Sequence, residues 1–149
     1  MSNGKSQTTQ TTEAVAGEVD LETVVRCTEI DVNGHVNNAK FVEYLEWGRE
    51  GWYERHGFAY DRLEGLGAVT AVVNISLNLR QPCHQGDRLR IVTWPQRRGR
   101  TSFALAQRIV RSDGAVVADG VVTLVTVDPD TRRAVPLPEE FARLFPAPD

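Results

Sequence analysis

The chain has 149 residues, enough for one domain with a real hydrophobic core. Its formal charge is −3, from 17 Lys and Arg against 20 Asp and Glu, which argues against a dedicated nucleic-acid binder, whose domain would be basic. Hydrophobic residues make up 41%, yet no apolar run approaches the ~20 residues of a membrane span.

Residues 1–17 are Ser, Thr, Gln, Gly and Ala with little to bury, so a disordered tail is expected there, followed by a single domain over residues 18–149. The first residues carry no apolar segment of signal-peptide type. Two cysteines, Cys27 and Cys83, are too few for a disulfide framework or a zinc site, and a reducing cytoplasm is the expected compartment.

The run Thr23-Val24-Val25-Arg26-Cys27-Thr28 is rich in β-branched residues, and a strand is expected over residues 21–30. Asp31 follows it directly, and Asn33-Gly34 signals a turn. Asn37 or Asn38 then caps a helix that runs to about His56, with Gly57 just past its end. At 100° per residue, Phe41, Leu45, Gly48 and Trp52 share one side of that helix, with Lys40, Glu43, Glu50 and Glu54 on the other. Arg49 lies near the apolar stripe with Glu46 one turn earlier, so an ion pair at the core edge is expected ahead of a direct catalytic role. Gly48 and Gly51 cost helix propensity, which close approach of a sheet would explain.

One short helical turn is expected over residues 60–66. The strand that follows, residues 68–80, alternates in its second half: Ile75, Leu77 and Leu79 against Asn74, Ser76, Asn78 and Arg80. A turn covers residues 82–86. A strand over residues 88–97 has Pro95 as a sign of an edge or bulge. The hairpin Arg98-Gly99-Arg100, a strand over residues 102–111, the turn Asp113-Gly114 and a strand over residues 116–127 complete the run. After the turn Asp128-Pro129-Asp130-Thr131 come a short last strand and a helical turn over residues 139–144.

The order is therefore a strand, one long helix, then four long strands joined by tight turns. Tight turns make antiparallel pairs. One helix cannot cover both faces of such a sheet, so the sheet is expected to curl around it. Exposed sheet edges favour pairing between subunits and hence a homodimer or homotetramer.

Chemistry concentrates in the loop before the helix. Asp31, close to the helix N–H groups, would hold its charge and attack a thioester carbonyl or activate water. Asn33 would orient the carboxylate or the water, and His35 would bond the loop or pass a proton. An oxyanion would rest on the amides of Val36, Asn37, Asn38 and Ala39. Each group also has an ordinary reading, as loop acid, turn pair, loop histidine or cap, and spacing alone leaves both open. There is no Gly-x-Ser-x-Gly elbow and no metal pattern, and no cofactor is expected. Arg97, Arg98 and Arg100 would hold the phosphates of coenzyme A or an acidic carrier protein, or form a solvated hairpin tip.

The stretch Asp31-Val32-Asn33-Gly34-His35-Val36-Asn37-Asn38, with Phe41, Glu46 and Arg49 on the helix, resembles the hotdog-fold acyl thioesterases. The nearest groups are the 4-hydroxybenzoyl-CoA thioesterase type and the plant acyl-carrier-protein thioesterases. The resemblance implies an α+β hotdog fold: an antiparallel five- or six-stranded sheet wrapped around one long central helix, in dimers or tetramers. It also implies hydrolysis of acyl-CoA or acyl-carrier-protein thioesters in fatty acid metabolism, with Asp31 as the catalytic acid. Asn33 and His35 match proposed catalytic residues of the plant enzymes; the later acid of those enzymes has no counterpart here. The hydratase branch uses Asp-x-Asn-Pro-x-His, and this chain lacks the Pro and sets His35 one residue too close. A hydratase or a non-catalytic acyl-CoA-binding module are the alternatives.

Overall fold

The computed structural model describes residues 17–148. Its strands are β1 (Val19–Val24), β2 (Val69–Leu79), β3 (Arg88–Arg98), β4 (Ser102–Arg111) and β5 (Val116–Val127), and its helices α1 (Asn38–Arg55), α2 (Tyr60–Gly65) and α3 (Glu139–Ala142). The tail expected over residues 1–17 lies, Gly17 aside, outside the described residues.

Asn37 starts α1 from an extended backbone, and its side-chain oxygen accepts the Ala39 N–H at 2.8 Å. Gly57 ends it, with a φ of +81° that few other residues tolerate. Phe41, Tyr44, Leu45, Gly48, Arg49 and Trp52 form its buried face. They recur at three- and four-residue steps, the spacing of one helical face. That face packs on β1, β3 and β4. The five strands are all antiparallel and lie in the order β1-β3-β4-β5-β2, which is the hotdog arrangement expected. At the far end of α1, Trp52 Nε1 donates to the Gly17 carbonyl at 2.9 Å and His56 Nε2 lies 3.0 Å from the same oxygen.

Gly48 marks the closest approach of helix to sheet. A Cβ there would lie 2.5 Å from Ile91 Cγ2, 2.9 Å from Gln107 Nε2 and 3.0 Å from Thr93 Oγ1. Ile91 and Thr93 sit on a strand and are β-branched, so they give little. Gly48→Ala therefore loses about 1–3 kcal/mol to overpacking, against a gain in helix propensity of about 1 kcal/mol. A lower denaturant midpoint with an unchanged slope is the expected record; a higher midpoint would show the seam to be loose. Gly51 has nothing near its missing Cβ, so close approach does not account for it.

Three expectations need correction. The first strand ends at Val24 and residues Cys27–Glu29 form a 3₁₀ turn. The cause is Glu29, buried, whose Oε1 accepts from the Arg26 N–H at 3.0 Å and from the Tyr44 hydroxyl at 2.7 Å. That side-chain bond competes with the strand ladder. The short last strand reduces to one bridge, Val127 to Ala134. The alternating half of β2 buries neither face well: Ile75 is 41% and Leu79 46% exposed, because β2 is an edge strand that α1 does not cover. A bulge at Val73 further turns it. Pro95 does sit at a bulge in β3, whose register shifts between Pro95 and Arg97.

Candidate active site

Ile30 and Val36 pair across an antiparallel bridge, so residues 31–35 form the tip of a very small hairpin just before α1. The Asp31 N–H donates to the His35 carbonyl at 2.8 Å, and the Gly34 N–H to the Asp31 carbonyl at 3.0 Å. Gly34 supplies the left-handed residue, with φ +83°. Asp31 Oδ1 accepts the N–H of Asn33 at 2.9 Å and that of His35 at 3.2 Å. Its other oxygen, Oδ2, takes no hydrogen bond from the described residues. The carboxylate is half-buried and thus held by one oxygen with the second presented. Asn33 and His35 are exposed. The loop joins all three sequence candidates through backbone bonds to one carboxylate.

Of the four amides expected to face an oxyanion, three are engaged within the chain. The Val36 N–H donates to the Cys83 carbonyl and the Asn37 N–H to the Glu29 carbonyl, both at 2.9 Å, while Ala39 is capped by Asn37. Asn38 is the one of the four with no acceptor among the described residues. The bonds to Cys83 and Glu29 instead fix the loop to the turn between β2 and β3 and to the 3₁₀ turn before it.

Arg97, Arg98 and Arg100 are not brought to this loop within one chain. The hairpin they form closes the end of β3 opposite Arg88, and Arg88 pairs with Val24 near the loop. Ten strand steps separate those ends by roughly 30 Å. Arg98 keeps its Nε–H buried and without a hydrogen-bond partner.

Beside the loop, the His35 and His84 rings meet edge to face at 5.1 Å. Cys83 itself is fully buried, and burial pushes its thiol from 9.0 up to about 11. It is therefore no thiolate nucleophile near neutrality. The native protein should titrate one fast thiol, the exposed Cys27, and release the second only on unfolding. Above pH 9 the unfolded chain loses the Cys83 proton while the folded chain keeps it to about 11, so this thiol's contribution to stability falls across that window. Two fast thiols in the native protein would contradict the burial.

Sequence reading passed over a cavity away from this loop. It has a volume of ≈ 500 Å³ and lies between the later turns of α1, α2, the start of β2 and Leu124 of β5. Phe58, Leu63, Val69 and Leu124 are among its apolar lining, and Glu46, Glu50 and Glu54 line it from exposed positions on α1. Arg49 and Tyr53 are its buried polar groups. Arg49 donates from Nη1 to Gln107 Oε1 at 3.3 Å, not to Glu46 as an ion pair, because it points into the sheet seam. Gln107 in turn donates to the Leu45 carbonyl at 2.8 Å and to Thr93 Oγ1 at 2.9 Å, so both of its amide N–H donors are used. Burial lowers the Arg49 pKa, while Tyr53, Glu46 and Glu50 favour its charge. The Tyr53 hydroxyl is buried without a hydrogen-bond partner, and burial pushes it up to about 12. The Arg49 signal was present in the sequence as a charge on an apolar stripe; its partner, 58 residues away, was not.

The model of the thioesterase-like superfamily matches residues 25–145. The long-chain acyl-CoA thioesterase FadM of Escherichia coli (strain K12) is 36% identical over 119 residues, covering 78% of this chain and 89% of that protein. A 1,4-dihydroxy-2-naphthoyl-CoA hydrolase of Synechococcus sp. (strain CC9311) is 30% identical over 132 residues, covering 81% and 84%. Among solved structures, YbaW, a probable thioesterase from Escherichia coli, superposes with a TM-score of 0.74 at 30% identity, covering 85% of this chain and 98% of that one. The matched span takes in the Asp31 loop, α1 and all of β2 to β5, and on that breadth the chain belongs to the thioesterase-like superfamily.

Proposed function

We propose that the protein hydrolyses acyl-CoA thioesters to a carboxylic acid and a thiol, with Asp31 carrying the reaction. The observation behind this is the divided carboxylate: Oδ1 is tied to two loop amides, and Oδ2 is left to act. The acyl-CoA hydrolases among the relatives support the substrate class.

Two routes use the same oxygen. As a base, Oδ2 takes a proton from water while that water's oxygen bonds to the thioester carbon. The carbonyl electrons move to oxygen, where the Asn38 N–H and the positive end of α1 stabilise them. Collapse breaks the C–S bond, and the thiolate leaves and is protonated. As a nucleophile, Oδ2 bonds to the carbon itself, expels the thiolate, and leaves a mixed anhydride that water opens. Asn33 and His35, on the same tip, orient water or pass the proton.

The edge strand β2 supports a homo-oligomer. Its main-chain groups and the exposed Val72, Val73, Ile75 and Leu79 await a neighbour. Antiparallel pairing of two β2 strands about a two-fold axis would reverse the ends, setting the arginine hairpin of one protomer toward the Asp31 loop of the other. That arrangement offers Arg97, Arg98 and Arg100 to the phosphates of coenzyme A despite their distance from Asp31 within one chain.

Thiol release measured across acyl-CoA chain lengths tests the activity. A hydratase would change enoyl absorbance without releasing thiol, and a binding module would give affinity with neither signal.

A further inference from the structure

We propose that the cavity between α1, α2 and β2 is an acyl chamber built for a neutral oxygen, a hydroxy or oxo group carried on the acyl chain away from the thioester. This rests on the thioesterase reading and names the substrate class within it.

The buried polar groups of the chamber, the Tyr53 hydroxyl and Arg49, are donors. The Tyr53 hydroxyl is buried, stays protonated at physiological pH and has no hydrogen-bond partner. Thr70 beside it acts on it without closing a hydrogen bond of good geometry. Arg49 has five donors, of which Nη1 spends one on Gln107. A buried donor left unsatisfied is costly, and native structures rarely keep one without reason. A ligand oxygen that accepts from Tyr53, with Arg49 close by in the same cavity, would remove that cost. Buried Phe58, Leu63, Val69 and Leu124 supply apolar walls beside them, and the volume falls within the range of small-molecule sites.

Charge decides which oxygen. Glu46, Glu50 and Glu54 line the cavity from exposed positions, against the single cation Arg49. The net field there is negative, which disfavours a chain ending in a carboxylate. A ketone or hydroxyl accepts the same hydrogen bonds without that repulsion. Donor groups aimed at a ligand oxygen also discriminate strongly, because an analogue without the oxygen leaves them unpaired.

Calorimetric titration of the intact protein provides the test. The probes are an S-decyl-CoA thioether, its counterpart with an oxo group near the chain end, a counterpart ending in a carboxylate, and a medium-chain methyl ketone without coenzyme A. The oxo thioether should bind at least about tenfold more tightly than the plain one, and the carboxylate chain more weakly than the oxo chain. In Tyr53→Phe, which keeps the ring and loses only the hydroxyl, the oxo preference should fall to near unity and the ketone should weaken with it. Thioethers that bind without an oxo preference, a preference that survives Tyr53→Phe, or tightest binding by the carboxylate chain would overturn the chamber while leaving the thioesterase reading in place. Ketone binding that depends on Tyr53, with no thioether binding, would uphold the chamber and sink the thioesterase reading instead.

Discussion

Asp31→Asn should lose thioester hydrolysis by about 10²–10⁴-fold in kcat with little change in melting temperature. The substitution separates two roles of one side chain. An amide oxygen still accepts the Asn33 and His35 N–H groups that Oδ1 accepts now, so the loop tip keeps its shape. What disappears is the charge and basicity of the second oxygen. Asp31→Ala removes both, and should add loss of loop order to loss of turnover. A steady-state thiol-release assay on the two variants, with amide exchange across residues 31–36, distinguishes the roles. Hydrolysis by Asp31→Asn at the parent rate would take the chemistry away from this loop.

Gly120→Ala should be the most damaging single methyl in the sheet, costing about 3 kcal/mol or more. A Cβ at Gly120 would collide with the Ser76 carbonyl oxygen and approach Leu77 Cα at 3.1 Å. Both are backbone, so no side-chain rotation relieves the contact. Gly120 pairs with Leu77, and the strand that must yield is β2, the edge. Urea unfolding should show the loss of stability, and sedimentation should show loss of any assembly built on that edge. A variant as stable as the parent would mean that β2 shifts freely.

Much of this architecture was legible locally. Asn37 and Gly57 are the two ends of α1, and Asp113-Gly114 joins β4 to β5, because caps and turns are decided by a few neighbouring residues. Position in the sheet was not legible. That β1 pairs with β3, while β2 takes the edge beside β5, follows from long-range packing. The misread first strand has the same origin: the Glu29 carboxylate turns the chain, and its partner Tyr44 is 15 residues on. At the candidate site, the sequence showed which residues share the loop. It did not show that the Val36 amide is committed to Cys83, which belongs to a distant turn. The Tyr53 hydroxyl was invisible as a site for a related reason, since only folding brings the start of β2 over it.

The double grip of Trp52 and His56 on the Gly17 carbonyl has a practical corollary. Gly17 itself sits at the arginine corner, beside Pro95 and the last turns of a helix about 27 Å long, while Asp31 sits at the other pole. Protein anchored to a bead or chip at that corner would hold the reacting tip outward, open to bulky thioesters, and shade its basic hairpin against the support.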